Sequence, residues 1–175
     1  MAWKFGGIYL KNDFGGDPVL ALNRLGIDKR FTDERVRFST VIDSTFEPTA
    51  IGIVGSVTLV HDNRLPYNHS YEADTVYPAD ERLLLLSHEV ESLVFYLDGI
   101  TDSYGLAHFQ GGRRVRHFSM QRGDLIVQEG EMTTIHTSSV EAQLLDWLQA
   151  FTGLSFTQLV LDDHPIMYVF TETGF

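Results

Sequence analysis

The stretch that decides the fold is Leu93–Met120, LVFYLDGITDSYGLAHFQGGRRVRHFSM. Three runs rich in aromatic and branched residues alternate in it with two short links that contain glycine or aspartate. Such runs are typical of β-strands, and the Gly-Gly pair at 111–112 favours a two-residue hairpin turn. The stretch therefore predicts an antiparallel meander at the centre of a sheet.

Three further segments have sequence features typical of helices, and we expect these helices to pack on the sheet. The first has an N-cap at Asp17 followed by proline, and Gly26 ends it. The second begins near Asp80, where the run RLLLL also allows a hairpin with the strand that follows. The third begins near Ser138 and carries an apolar stripe that ends at Gly153. A short helical turn is expected near 157–160.

Outside the meander, strands are expected over 3–10, 31–46, 50–61, 125–128, 132–136 and 166–170. The run at 50–61, AIGIVGSVTLVH, predicts one central strand covered on both faces, with Gly52 and Gly55 relieving crowding. Together these segments predict a single α+β domain over residues 1–175. Its core is a mainly antiparallel sheet of six to eight strands, with two to four helices packed chiefly on one face.

The composition limits the function. The 175 residues contain no cysteine, which excludes disulfides, thiolate zinc sites and cysteine nucleophiles. The first residues lack the features of a signal peptide and no apolar run is long enough to span a bilayer, so we expect a cytoplasmic protein with no membrane partner. The net charge of −11 repels nucleic-acid phosphates and favours a protein partner with a basic surface, although solubility alone also accounts for it.

The meander also carries the first candidate site. With a regular turn at 111–112, His108 and His117 share one face of the hairpin, and Arg114 and Arg116 share the other. Paired histidines suit acid–base or metal chemistry, but a metal site needs a third ligand that the sequence does not supply locally. We therefore predict these four residues as polar anchors for a small ligand, with no metal and no cofactor. The alternative is an ordinary polar sheet surface.

The second candidate is the long loop at 61–78, HDNRLPYNHSYEADTVYP. It holds metal-ligand residue types, but their spacing matches no metal motif. Long loops in compact domains are often functional, so we predict a loop that contacts a protein partner. The residues concerned are His61, Asp62, His69, Glu72 and Asp74.

No catalytic motif accompanies these candidates. Ser87, Ser103 and Ser119 lie outside any Gly-x-Ser-x-Gly elbow, which argues against a serine nucleophile. Asp98 and Asp102 flank a turn, where aspartate is favoured for backbone reasons before a carboxylate pair need be invoked. The sequence therefore favours a protein that is not an enzyme.

The run from Asp102 to Arg116, DSYGLAHFQGGRRVR, resembles a segment of a family of small uncharacterised bacterial proteins. In that family an aspartate precedes an aromatic strand, a glycine turn and a strand that holds a basic residue. The opening strand and the Asp-Pro helix are similar too, and the likeness covers about a fifth of the chain. It implies the same fold and a bacterial source, and because the family has no assigned activity it transfers no catalytic residue.

The leading hypothesis is a non-catalytic interaction module, of an immunity or regulatory type, that acts through an acidic surface. One alternative is a small-ligand-binding domain with a pocket between the sheet and the helices. Another is a histidine-based hydrolase or metal enzyme, motivated by seven histidines. An exposed sheet edge leaves a homodimer open, and the sequence does not identify the edge strand.

Overall fold

The computed structural model describes residues 4–43, 45–62, 78–130, 139–161 and 165–172. Within these residues, nine strands form one sheet in the order β2-β9-β3-β4-β1-β5-β6-β7-β8, and every neighbouring pair is antiparallel. The strands are β1 Lys4–Leu10, β2 Lys29–Arg37, β3 Thr49–Val54, β4 Val57–His61, β5 Ser92–Asp98, β6 Ser103–Gln110, β7 Arg113–Gln121, β8 Asp124–Gly130 and β9 Ile166–Glu172. The helices are α1 Pro18–Leu25, α2 Phe38–Val41, α3 Pro78–Leu86, α4 Val140–Thr152 and α5 Phe156–Leu161, with a 3-10 turn at Phe14–Gly16.

The predicted α+β class and the antiparallel sheet are confirmed. The strand count is higher than expected because the segment predicted as one central strand is a hairpin, with Gly55 between β3 and β4. Gly55 has a φ of 56°, a backbone conformation that glycine adopts without steric cost. Gly52 does relieve crowding, since a Cβ there would lie 2.4 Å from the sulfur of Met167.

The helices cover both faces of the sheet. On one face, α2, α4 and α5 enclose a buried cluster that includes Phe38, Phe95 and Leu148. On the other face, α1 and α3 pack over a second buried cluster that includes Leu22 and Val94. Three of the five described helices thus share one face and two cover the other, in agreement with helices packed chiefly on one face, although the described helices number one more than the two to four expected. Alternate residues of β5 enter the two cores, so both faces of the central strands must be buried.

The capping residues of α1 and α4 in the structure lie at or next to the positions predicted from the sequence. The side chain of Asp17 accepts a hydrogen bond from Val19 N at 2.9 Å, and Gly26 ends α1 with a φ of 65°. The N-cap of α4 is Ser139, one residue after the predicted position, and its hydroxyl accepts from Ala142 N at 3.2 Å. Complete start and stop signals therefore placed these two helices to within one or two residues.

The segment predicted as a strand over 31–46 is only partly extended. β2 ends at Arg37, and α2 follows at once. Phe38, Val41 and Ile42 are buried together. Residues three and four positions apart lie on the same face of a helix, so a helical turn buries all three side chains at once. A strand, which the alternation of apolar and polar residues had predicted, would not bury Val41 on the same face as Phe38 and Ile42. The strand expected over 132–136 lies outside the described residues.

Candidate functional site

A β-bulge in the β6–β7 hairpin decides which polar side chains share a face. Near the turn, Phe109 lies opposite Arg114, but the next cross-strand pair is His108 with Arg116, so Val115 is an extra residue on β7. Because side chains alternate along a strand, one extra residue sends every later side chain to the opposite face. The bulge therefore reverses the arrangement that a regular hairpin would give.

The prediction that His108 and His117 share a face is wrong for this reason. His108 lies opposite Arg116 on the face that α4 covers, whereas His117 lies with Arg114 on the opposite face. The sheet separates the four predicted ligand anchors into two pairs. No single pocket can use all four.

His108 belongs to a polar cluster at one end of the sheet. Glu91, just before β5, accepts from Lys11 Nζ at 2.9 Å on both carboxylate oxygens. The same carboxylate lies 2.8 Å from His108 Nε2. Gln110 Nε2 completes the set at 3.5 Å. Glu91 thus joins side chains of β6 to Lys11, the residue that directly follows β1.

Aromatic side chains of α4 form the wall of this cluster. The guanidinium of Arg116 lies 5.0 Å from the centre of the Trp147 ring, and Lys11 Nζ lies 4.8 Å from the centre of the Phe151 ring. The edge of Phe151 also meets the imidazole of His108, with ring centres 5.9 Å apart. Both cationic groups thus lie within cation–π distance of a ring, and Lys11 is also held by its ion pair with Glu91.

The surroundings of His108 keep its imidazole neutral near pH 7. Burial is the largest influence and lowers its pKa, and the charges of Arg116 and Lys11 lower it further. The hydrogen bond to Glu91 and the negative charge of that residue raise the pKa of His108. They raise it by less than the other influences lower it, so the pKa stays below its ordinary value. A neutral imidazole beside a carboxylate must donate through Nε2, which leaves Nδ1 as an acceptor.

The second pair lies beside Glu129 of β8. His117 Nδ1 and Arg114 Nη2 are each 3.8 Å from the same oxygen of Glu129. His117 is fully buried, and so is Ser119, two residues further along the same face. The hydroxyl of Ser119 has no hydrogen-bond partner among the described residues. His117 and Ser119 are therefore closed to a substrate, whereas the side chain of Arg114 is partly exposed.

His61 and Asp62 do not lie in an exposed loop, so this part of the partner-loop prediction is wrong. β4 extends to His61, and both side chains are buried. The run of apolar and branched residues before them continues the strand further than the turn signals indicated. His69, Glu72 and Asp74, the other predicted members of that loop, lie outside the described residues.

His61 lies inside an aromatic enclosure. The rings of Phe5, Phe38 and Phe95 pack around it, with the Phe38 ring centre 5.1 Å away. Its one hydrogen bond among the described residues joins Nε2 to the Tyr9 hydroxyl at 3.0 Å. Burial lowers the pKa of His61 from 6.5 to about 3. His61 is therefore a neutral core residue.

Asp62 faces the opposite side of the sheet. It accepts hydrogen bonds from Lys29 Nζ at 2.9 Å and from the Thr49 hydroxyl at 2.6 Å. Lys29 also lies 3.1 Å from Glu172. A buried carboxylate needs such partners to offset the loss of hydration. The cluster joins β2, β3 and β9 to the end of β4, which is a structural role.

The remaining catalytic candidates have structural partners. The hydroxyl of Ser87 donates to Leu84 O at 2.8 Å and accepts from Gly112 N at 3.1 Å, which ties α3 to the β6–β7 turn. Asp98 accepts from the amides of Ile100 and Thr101, both at 3.1 Å, as expected for a turn aspartate. In the part of the chain that the structure describes, no three His, Asp or Glu residues converge as metal ligands would.

A surface cleft of about 690 Å³ lies between β2, α2 and the start of β3. Glu34, Asp43 and Glu47 contribute exposed carboxylates to it, while Phe46 and Pro48 line it with partly buried apolar surface. The residues that line it all lie within positions 34–48, but no recognised motif marks this segment as a site. The one sequence signal was the overall acidic charge.

Asp43 is held in its charged form. The amide and the hydroxyl of Thr45 donate to its carboxylate at 2.9 and 2.8 Å. These hydrogen bonds lower the pKa of Asp43. Asp43 therefore keeps its negative charge to lower pH than an aspartate without these hydrogen bonds.

The two edges of the described sheet differ. β2 carries charges of both signs and a register irregularity between Phe31 and Arg35. β8 exposes the apolar side chains of Leu125 and Ile126. The pairing of β8 with β7 also shifts register, between Ser119 and Met120, so the two edges of the described sheet leave the question of a homodimer open.

Over the ranges that the structure describes, the fold is α+β and is built on one nine-stranded antiparallel sheet. Comparison with family models, with curated proteins and with solved structures finds no match to this chain. None of the described helices combines the length and the apolar character that crossing a membrane requires.

Proposed function

We propose that this protein is a non-catalytic interaction module whose acidic surface binds a protein partner with a basic surface. The observation that supports it is the cleft of about 690 Å³ lined by Glu34, Asp43 and Glu47. All three carboxylates are exposed. An immunity-type or regulatory role, in which the module holds a basic partner, agrees with this geometry.

The chemistry of the cleft matches lysine and arginine side chains. Such side chains combine a charged end with an apolar stem. The carboxylates complement the charge, and Phe46 with Pro48 offers apolar contact for the stem. The net charge of −11 adds a long-range field that speeds the approach of a basic protein.

Affinity purification with three forms of the protein tests this proposal. The first is the wild type, and the second carries Glu34→Gln, Asp43→Asn and Glu47→Gln. The control neutralises three carboxylates that lie outside the cleft. It carries Glu81→Gln, Asp124→Asn and Asp146→Asn, so its net charge equals that of the cleft variant.

We expect the wild type and the control to recover the same basic protein from native lysate, and the cleft variant to lose it. A carbodiimide should also crosslink partner lysines to cleft carboxylates in the wild type. Recovery should weaken as salt is added, because exposed charges are screened. Equal recovery with all three forms, or no specific partner at low salt, would contradict the proposal.

A further inference from the structure

The two helices that cover the second buried cluster, α1 and α3, expose apolar side chains on their outward faces. Val19 and Leu20 of α1 are each 44% exposed, and Leu85 of α3 is 73% exposed. Leu85 is the most exposed large apolar side chain in the part of the chain that the structure describes. The outward face of a surface helix normally carries charged or polar residues at such positions. These side chains therefore offer apolar contact that the described fold does not use.

A groove of about 300 Å³ lies between the two helices. Its lining residues are Asn23, Arg24, Arg82, Leu85, Leu86 and Glu89. Residues three and four positions apart lie on the same side of a helix, so Leu20 is on the side of α1 that carries Asn23 and Arg24. The exposed leucines of both helices thus lie beside the groove, and a leucine side chain from another molecule fits a volume of this size.

Arg82 presents an unpaired positive charge at this groove. A Cβ on Gly26 would lie 0.8 Å from Arg82 Nη1, so the guanidinium rests directly against the glycine that ends α1. The C-terminal end of a helix favours a positive charge in this position. No carboxylate among the described residues pairs with Arg82. The donors of its guanidinium can therefore bind a carboxylate from another molecule.

Glu89 supplies a carboxylate on the same face. It pairs with Arg24 through the oxygen Oε2, and its side chain is 71% exposed. The described residues donate no hydrogen bond to its other oxygen, Oε1. A carboxylate can accept from more than one guanidinium, because each of its oxygens has two lone pairs. The face therefore carries both members of an ion pair that two molecules can form.

The features of this face complement one another. It has an exposed leucine and a groove, and it has an unpaired arginine and an accessible glutamate. A two-fold dimer needs a surface of this kind, because each contact between two residues occurs twice, once in each direction. Charge also favours self-association here. The whole chain carries −11, which opposes the approach of two copies, whereas the groove is lined by two arginines and one glutamate.

We propose that α1 and α3 form the interface of a two-fold homodimer. Leu85 of each copy enters the groove of the other copy, and Arg82 pairs with Glu89 across the interface. The acidic cleft borders α2, which packs on the opposite face of the sheet. Both clefts therefore stay open in the dimer, and the dimer does not depend on the proposed function.

Sedimentation equilibrium of the full chain over a range of concentrations tests the apolar part of the interface. Leu85→Glu is compared with Leu161→Glu, because the two leucines are 73% and 72% exposed and lie on opposite faces of the sheet. We expect the wild type and Leu161→Glu to form dimers with equal Kd, and Leu85→Glu to dimerise at least about tenfold more weakly. A wild type that stays monomeric up to about 1 mM, or an equal effect of the two substitutions, would overturn the proposal.

An exchange of charges tests the two-fold pairing. Arg82→Glu and Glu89→Arg should each weaken the dimer, because each places like charges opposite one another at both copies of the ion pair. An equimolar mixture of the two variants should recover the dimer. In the mixed dimer one ion pair is native and the other is reversed, so both are attractive. Circular dichroism confirms that each variant is folded. A mixture no more dimeric than the separate variants would show that this pairing is wrong.

Discussion

His61 and His108 lie on the same face of one sheet and have different chemistry. His61 is enclosed by aromatic rings with a tyrosine hydroxyl as its hydrogen-bond partner, and burial takes its pKa to about 3. His108 is partly exposed, and the carboxylate of Glu91 opposes the fall of its pKa. Burial without a charged partner makes a histidine an inert core residue. Partial burial against a carboxylate fixes its tautomer and leaves a nitrogen available.

The largest expected effect comes from the pH dependence of His61. An unfolded histidine takes up a proton near pH 6.5 and the buried one only near pH 3, so protons favour the unfolded chain in that interval. The contribution of neutral, buried His61 to the stability of the fold is therefore complete above pH 6.5, and it is lost as the pH falls from 6.5 towards 3. The full shift corresponds to about 5 kcal/mol. Urea unfolding from neutral pH to about pH 4 should show a steeper loss for wild type than for His61→Phe.

The control for that measurement is the double variant Tyr9→Phe with His61→Phe, which removes the tyrosine hydroxyl that the single variant leaves unpaired. Its absolute stability will differ, but its pH dependence should match that of the single variant. If all three proteins lose stability in parallel as the pH falls, His61 is not the buried neutral group that the structure shows.

Removal of one ring of the enclosure should have an effect of similar size. Phe38 is fully buried, and its ring packs edge-on against His61. Phe38→Ala should reduce the free energy of unfolding by about 3–5 kcal/mol, because it leaves a cavity in the core. Leu125→Ala, at an exposed position on β8, is the matched control and should stay within about 0.5 kcal/mol of wild type.

The single hydrogen bond of His61 should matter less again. Tyr9→Phe deletes the hydroxyl that lies 3.0 Å from His61 Nε2 and leaves both nitrogens of a buried imidazole without a partner among the described residues. We expect a loss of about 1–2 kcal/mol in chemical denaturation. A neutral or stabilising result would mean that packing alone satisfies this site.

The smallest effect on stability is expected in the His108 cluster. Glu91→Gln removes a partly exposed ion pair, which costs about 1 kcal/mol or less. The informative measurement is the pKa of His108 by NMR. It should fall below its wild-type value, because the carboxylate that raises it is gone. An unchanged or higher pKa would show that Glu91 does not act on His108.

The sequence predicted the parts of this protein whose signals are local. Asp17 and Gly26 carry complete capping information for α1, and the glycines at 111–112 specify a tight turn. The aspartate at 98 was correctly interpreted as a turn residue for the same reason. Such signals depend on the residue and its near neighbours, so no tertiary contact was needed to interpret them.

The arrangement of side chains into sites was decided by tertiary structure. The extra residue Val115 moves His117 to the opposite face from His108, and a bulge of this kind leaves no clear mark in a single sequence. The burial of His61 depends on Phe5, Phe38 and Phe95, which come from three separate elements.

The sequence by itself thus determined the α+β class, the antiparallel meander and the ends of α1 and α4. Only the tertiary structure decided which polar residues meet, as Lys11, Glu91 and His108 do across three strand ends. The physical reason is the two-residue side-chain period of a strand, by which a shift of one residue exchanges the faces. Composition fixes what a chain contains, whereas long-range pairing fixes which of its residues become neighbours.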